Sequence, residues 1–303
     1  MGSDFLRKQV GFILLIVLSL IWGLAFVAIR RADFELSPVN LTLLRWFIAG
    51  AIFLVLIPIF GRAKAKFERR EIPRLLLVSL ANVEGYHLSL NYAETIVSSG
   101  LAGLLISFGP LFAVVLSAIF LHERVGKRLS AALLLGILGA LVLSVGGVDF
   151  TFKYLTGPLA VIFAALSYAT FAVASKPLVM KYGAFWTAAW AAVLGTAMLL
   201  PLTSGGFVSQ VESISVHAWV SVVYLAVGST VIGYLIFYAL VSSRAVSSLS
   251  VQLYLVPLVS VVGGALILGE QITAATMLGG AILLGGVYLA TRTRASTPDN
   301  KVR

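Results

Sequence analysis

Ten apolar runs of roughly 20 residues, joined by short polar turns, occupy most of this chain. They cover approximately 10–29, 38–60, 73–93, 97–121, 128–147, 155–175, 184–203, 217–240, 246–268 and 273–291. A helix rising 1.5 Å per residue crosses a bilayer core in about 20 residues. Lipid offers no partner to a backbone N–H or C=O, so each run must satisfy its own groups as a helix. The expected fold is all-α and integral to a membrane, with ten transmembrane helices. Composition agrees: 60% of residues are hydrophobic and 11% charged, where a soluble domain carries about 25% charged. The first run follows Arg7 and Lys8. It is too long for a signal-peptide core and no small-x-small cleavage site follows, so it reads as a spanning helix. The seventh run is Ala-rich and the least distinct.

The basic residues are sorted by loop. If loops alternate sides, eighteen Lys and Arg fall on the side of the termini and three on the other. The loop after the second run alone carries Arg62, Lys64, Lys66, Arg69 and Arg70. The positive-inside rule then places both termini in the cytoplasm. The net charge of +10 is read as this topology signal and not as a nucleic-acid footprint. The absence of cysteine excludes disulfides, thiolate metal sites and cysteine nucleophiles. No cofactor or metal is expected.

The chain partly overlays itself at a shift near 146 residues. In FGPLFAVVLSAIFLHER, Pro110 precedes Glu123 by thirteen positions, and in VPLVSVVGGALILGEQ, Pro257 precedes Glu270 by thirteen. Tyr92-Ala93 matches Tyr238-Ala239, and Trp22 matches Tyr168. Two halves of five helices follow, 1–148 and 149–294, with a polar tail at 295–303. Five is odd, so the second half enters the membrane inverted. The turn at Glu123 is then cytoplasmic and keeps Arg124, Lys127 and Arg128, while the turn at Glu270 is external and lacks them. Inverted repeats are an architecture of secondary transporters, with the site near the midplane between halves.

Ten helices in two halves, WGLAFV in the first run, RWFIAGAIFL in the second and the twin Pro-to-Glu segments resemble the EamA-type branch of the drug/metabolite transporter superfamily. The resemblance covers nearly the whole chain. The overall pattern is most similar to bacterial YddG-type exporters of aromatic amino acids. It implies export from the cytoplasm by alternating access, in a bacterial inner membrane, with a small solute and the bilayer as partners and a monomer as the favoured state.

Several residues are candidates for the transport path. Pro110 and Pro257 interrupt their helices and free the carbonyls of Ile106 and Leu253, which in lipid need another partner. They are read as hinges, or else as packing kinks. Ser107 and Gln252 lie beside the breaks. Arg45, Glu84 and His87 are the ionisable groups deep in apolar runs. Arg45 and Glu84 lie about 10 Å and about 14 Å from one end of their helices, which suits a structural ion pair. His87 shares a helix face with Glu84, as a proton relay or as a hydrogen-bonded core histidine. Glu123 and Glu270 are read as turn caps, accepting from the free N–H groups of the helices that follow them.

The set Trp22, Asn82, Tyr86, Tyr168 and Tyr234 suits a flat zwitterion: rings stack its side chain, while amide and hydroxyls bind its charged ends. Trp219, Tyr92, Tyr238 and Tyr288 lie near helix ends and are read as interfacial belt residues. Ala132, Gly136 and Ala140, and Ala275 with Gly279, form small-xxx-small runs that serve as scaffold or as a dimer face.

Other functions are disfavoured. A phosphate-ester or nucleotide-sugar exchanger would want several deep cations, and only Arg45 is deep. LHERVG lacks the second histidine of a zinc helix, and no Walker loop or GxSxG turn occurs. No ring of charge suggests a channel.

Overall fold

The computed structural model describes residues 2–60, 68–145, 155–203 and 206–291; among these there is helix and turn but no strand. The long helices are α1 (Gly2–Ala32), α2 (Pro38–Phe60), α3 (72–94), α4 (99–120) and α5 (Lys127–Val145). They continue as α6 (Thr156–Tyr182), α7 (Ala184–Leu199), α8 (216–243), α9 (246–268) and α10 (Ala274–Thr291). Seven segments among the described residues are long and apolar enough to cross a membrane. α3 is not among them because Asn82, Glu84, His87, Asn91 and Glu94 dilute it. The outward surface is greasy: Leu54, Ile59, Phe60, Leu266 and Met277 are all exposed, as lipid-facing side chains should be. The tail 295–303 and the basic loop 61–67 lie outside the described residues.

α6 runs past the expected end at 175, although Lys176 closes the apolar run and Pro177 follows. The helix continues because the Lys176 ammonium donates to two carbonyls at the end of α8, those of Val241 and Arg244. A satisfied cation does not interrupt a buried helix.

α4 and α9 each break once, at the same relative place. α4 is Ser99–Leu105 followed by Phe108–Phe120. α9 is Val246–Gln252 followed by Leu255–Leu268, a constant offset of 147 (105 to 252, 108 to 255). The carbonyls that Pro110 and Pro257 leave free are taken up locally. Gly109 N–H donates to Ile106 O at 2.8 Å, and Val256 N–H to Leu253 O at 2.9 Å. The broken helices therefore keep their backbone bonded in an apolar setting.

Both broken helices end in a left-handed residue, His122 with φ 54° and Gly269 with φ 71°, and each is followed by a glutamate. Here the expected caps need correction. Neither glutamate caps the helix after it; each caps the broken helix of the other half. Glu123 accepts from Val246 N–H at 2.9 Å and Ser247 N–H at 3.0 Å, at the start of α9. Glu270 accepts from Ser99 N–H at 3.0 Å and Gly100 N–H at 3.1 Å, at the start of α4. The hydroxyls of Ser247 and Ser99 add further bonds at 2.5 and 2.8 Å. Four unpaired N–H groups open any helix, and a charged acceptor binds them best. The left-handed turn aims the glutamate sideways to the neighbouring helix start and away from its own successor. α4 thus begins beside Glu270 and ends beside Glu123, so these two turns sit at opposite ends of the α4–α9 pair.

α5 and α10 pack on each other through small residues. A Cβ placed on Gly286 would lie 2.9 Å from Ala132 O and 3.3 Å from Gly136 N. Ala132 and Gly136 of the first small-residue run are therefore in a contact within the chain, as close helix packing requires.

Candidate functional site

Two helix segments are wound more widely than an α-helix. Leu80–Leu88 in α3 and Tyr224–Ile232 in α8 are π-helical, at a constant offset of 144 (80 to 224, 88 to 232). A π turn sets side chains at angles an α-helix cannot reach, and such segments are frequent at functional sites. They carry Asn82, Tyr86 and His87 on one side of the bundle and Tyr224, Ser229 and Thr230 on the other. The Thr230 hydroxyl donates to Leu225 O, five residues back, at 2.8 Å.

Between these segments lies a cavity. Its wall is aromatic: Trp22 from α1, Tyr86 from α3, Tyr168 and Phe171 from α6, and Tyr234 from α8. The rings meet edge to face or tilted, with Trp22 6.4 Å from Tyr168 and 5.7 Å from Tyr234 between centroids. Arg45, His87 and Ser229 supply the polar wall. A second cavity shares Trp22, Tyr86 and Tyr168 with the first and reaches Ser107, Pro110, Ser250 and Pro257 at the helix breaks. Both cavities are lined by residues from both halves of the chain.

The polar atoms form an ordered set. Tyr234 hydroxyl donates to Asn82 Oδ1 at 2.5 Å. Its single proton being used, it accepts from His87 Nε2 at 3.1 Å, which leaves His87 Nδ1 as a bare acceptor. Trp22 Nε1 donates to Ser229 O at 3.1 Å, and Tyr224 hydroxyl to Ile21 O at 2.7 Å. Asn82 therefore stands behind the wall and holds Tyr234. The Gln252 side chain lies outside the described part of the structure.

The expected Arg45–Glu84 ion pair does not form. Arg45 Nε donates to Thr230 Oγ1 at 2.8 Å and Nη2 to Ser229 Oγ at 3.1 Å, while Nη1 has no protein acceptor. Glu84 has both carboxylate oxygens unbonded. Equal depth in two helices does not bring side chains together when they occupy different faces, and the π winding of α3 shifts those faces. A second correction concerns Tyr238. It is 1% exposed and packs on Tyr234 and Phe237, because α8 extends to Ser243; it is a core residue and not part of a belt. Tyr92, by contrast, is exposed.

Sequence reasoning missed Asp33 and Glu94. Asp33 follows α1, and Glu94 closes α3 with 0% exposure. Arg30 reaches the backbone carbonyl of Glu94 and not its carboxylate. Both acids have unbonded oxygens. Burial pushes the Asp33 pKa up to about 8 against the opposing pull of Arg30. Asp33 sits four residues and Glu94 one residue outside the apolar runs that drew attention.

The two halves also share a family profile. The model of the EamA-like transporter family matches residues 9–145 and again 155–292. The chain belongs to the EamA-like transporter family. It is a membrane transporter and not an enzyme. An Archaeoglobus fulgidus protein named "uncharacterized transporter" is 32% identical over 273 residues, covering 90% of this chain and 95% of the relative. A Streptantibioticus cattleyicolor protein named "probable terminal-alkyne amino-acid exporter" is 32% identical over 302 residues, covering 98% and 99%. An Escherichia coli K12 protein named "probable amino-acid metabolite efflux pump" is 26% identical, covering 93% and 94%. A solved crystal structure aligns with a TM-score of 0.71 over 93% of this transporter and 96% of that chain; at 22% identity the likeness speaks to fold alone.

Proposed function

We propose that this EamA-like transporter is a secondary exporter of neutral amino acids, aromatic ones included, working by alternating access in a bacterial inner membrane. The carrying observation is Arg45 at an aromatic cavity shared by both halves, with Nη1 unclaimed by the protein. A guanidinium edge matches a carboxylate, and the rings of Trp22, Tyr86, Tyr168 and Tyr234 match a flat side chain. Relatives named as a probable terminal-alkyne amino-acid exporter and a probable amino-acid metabolite efflux pump support the same reading.

In this reading residues 1–148 and 149–294 are inverted repeats, ten helices cross the bilayer, and both termini are cytoplasmic. The placement of the Glu123 and Glu270 turns at opposite ends of α4 and α9 supports it. Pro110 and Pro257 act as hinges beside the second chamber, and Ser107 lines it with an unbonded hydroxyl. One deep cation suits one carboxylate and argues against phosphate esters.

Purified protein in liposomes should move labelled tryptophan, phenylalanine or tyrosine down a gradient. Arg45→Gln should lower that flux by at least about 10-fold, the scale of a lost charged hydrogen bond. Tyr86→Ala or Asn82→Ala should lower it more than Glu123→Gln. Flux equal to that of empty liposomes for every amino acid tested would remove the proposal.

A further inference from the structure

Arg45 is 2% exposed, and its two hydrogen bonds go to neutral hydroxyls, those of Thr230 and Ser229. No aspartate or glutamate lines the first cavity. Of the acids on α3, Glu84 does not bond to Arg45, and Glu94 closes the helix outside the cavity lining, where Arg30 binds its backbone carbonyl. The wall therefore carries one fixed positive charge without a counter-charge. A buried lone charge is costly, and a ligand anion relieves that cost.

An ammonium group entering the same space finds no such partner. Ring faces can accept a cation, and His87 Nδ1 offers one neutral acceptor. Against these stands the like charge of Arg45 in a site with little water to screen it. The cavity tolerates the ammonium of an amino acid only when a carboxylate comes with it.

We infer that the carboxylate is the required element of recognition and the ammonium is dispensable, so that this transporter also takes aryl and alkyl monocarboxylates that lack an amino group. The inference deepens the amino-acid reading of the same cavity and rests on it. It names a substrate class, the apolar monocarboxylates, that neutral amino-acid export does not include.

The test is a binding series on purified full-length protein in detergent, by calorimetry, with phenylalanine, 3-phenylpropanoate and phenethylamine. These share one ring and differ only in charged groups. The expected result is a Kd for 3-phenylpropanoate within about 10-fold of phenylalanine, and binding of phenethylamine at least about 100-fold weaker, the range of charged hydrogen bonds. Arg45→Gln should abolish the preference for 3-phenylpropanoate over phenethylamine, and Arg45→Lys should restore part of it. If Arg45→Gln does not fold, the wild-type series alone decides. Phenylalanine binding without 3-phenylpropanoate binding would overturn the inference and leave the amino-acid reading standing. Phenethylamine binding as tightly as 3-phenylpropanoate would overturn it too. Binding of none of the three would remove the amino-acid reading and this inference with it.

Discussion

Asp33 sits one residue beyond α1 with neither carboxylate oxygen bonded. Its pKa of about 8 against an ordinary 3.8 means the folded state holds a proton that the unfolded chain releases. Its contribution to stability is fully present below about pH 3.8 and is lost as pH rises through about 8. Asp33→Asn does not titrate, so the variant should match the wild type near pH 4 and unfold at a higher temperature than the wild type at pH 8. Thermal unfolding in detergent across that range checks this; a constant difference at all pH values would contradict it. At this scale the sequence was readable in part. The depth of Arg45, Tyr86, His87, Tyr168 and Tyr234 followed from position in an apolar run, and all five line the first cavity. Their partners did not follow. In a membrane helix both the lipid-facing and the core-facing sides are apolar, so the periodicity that reveals a buried face in water is lost, and with it the direction of Glu84.

Among the elements, α4 and α9 show the same limit and the same strength. Pro110 and Pro257 marked their breaks, because proline leaves a readable signal. The π segments left none: Leu80–Leu88 and Tyr224–Ile232 share no residue type that imposes wide winding. The glutamates after α4 and α9 were legible as caps but assigned to the wrong helices, since a cap across the bundle depends on packing and not on chain order. Each carboxylate holds two backbone N–H groups and a serine hydroxyl, or for Glu270 the same count with Ser99. Removing one should cost about 1–3 kcal/mol, the range for lost caps and charged hydrogen bonds. Glu123→Ala and Glu270→Ala should therefore lower stability by similar amounts, while Glu212→Ala, on the short surface helix Gly206–Ser213, should not. Unfolding measurements on the three variants check this; caps as neutral as Glu212 would contradict it.

For the whole molecule, the repeat carries the account. Helix breaks recur at an offset of 147, π segments at 144, left-handed ends at His122 and Gly269, and each half supplies the glutamate that caps the other. The sequence showed this repeat as weak matches in a constant order, and apolar composition hid the rest. In the proposed reading, two related bundles of opposite polarity leave a seam with the cavity in it, and that geometry is what alternating access needs. The native chain has no cysteine, so single-cysteine labelling can be read without background. Arg124→Cys and Gln271→Cys place exposed thiols beside Glu123 and Glu270. A membrane-impermeant maleimide applied to intact cells should label Gln271→Cys and spare Arg124→Cys until the membrane is opened; labelling of both from the same face would contradict the inverted halves and the path between them.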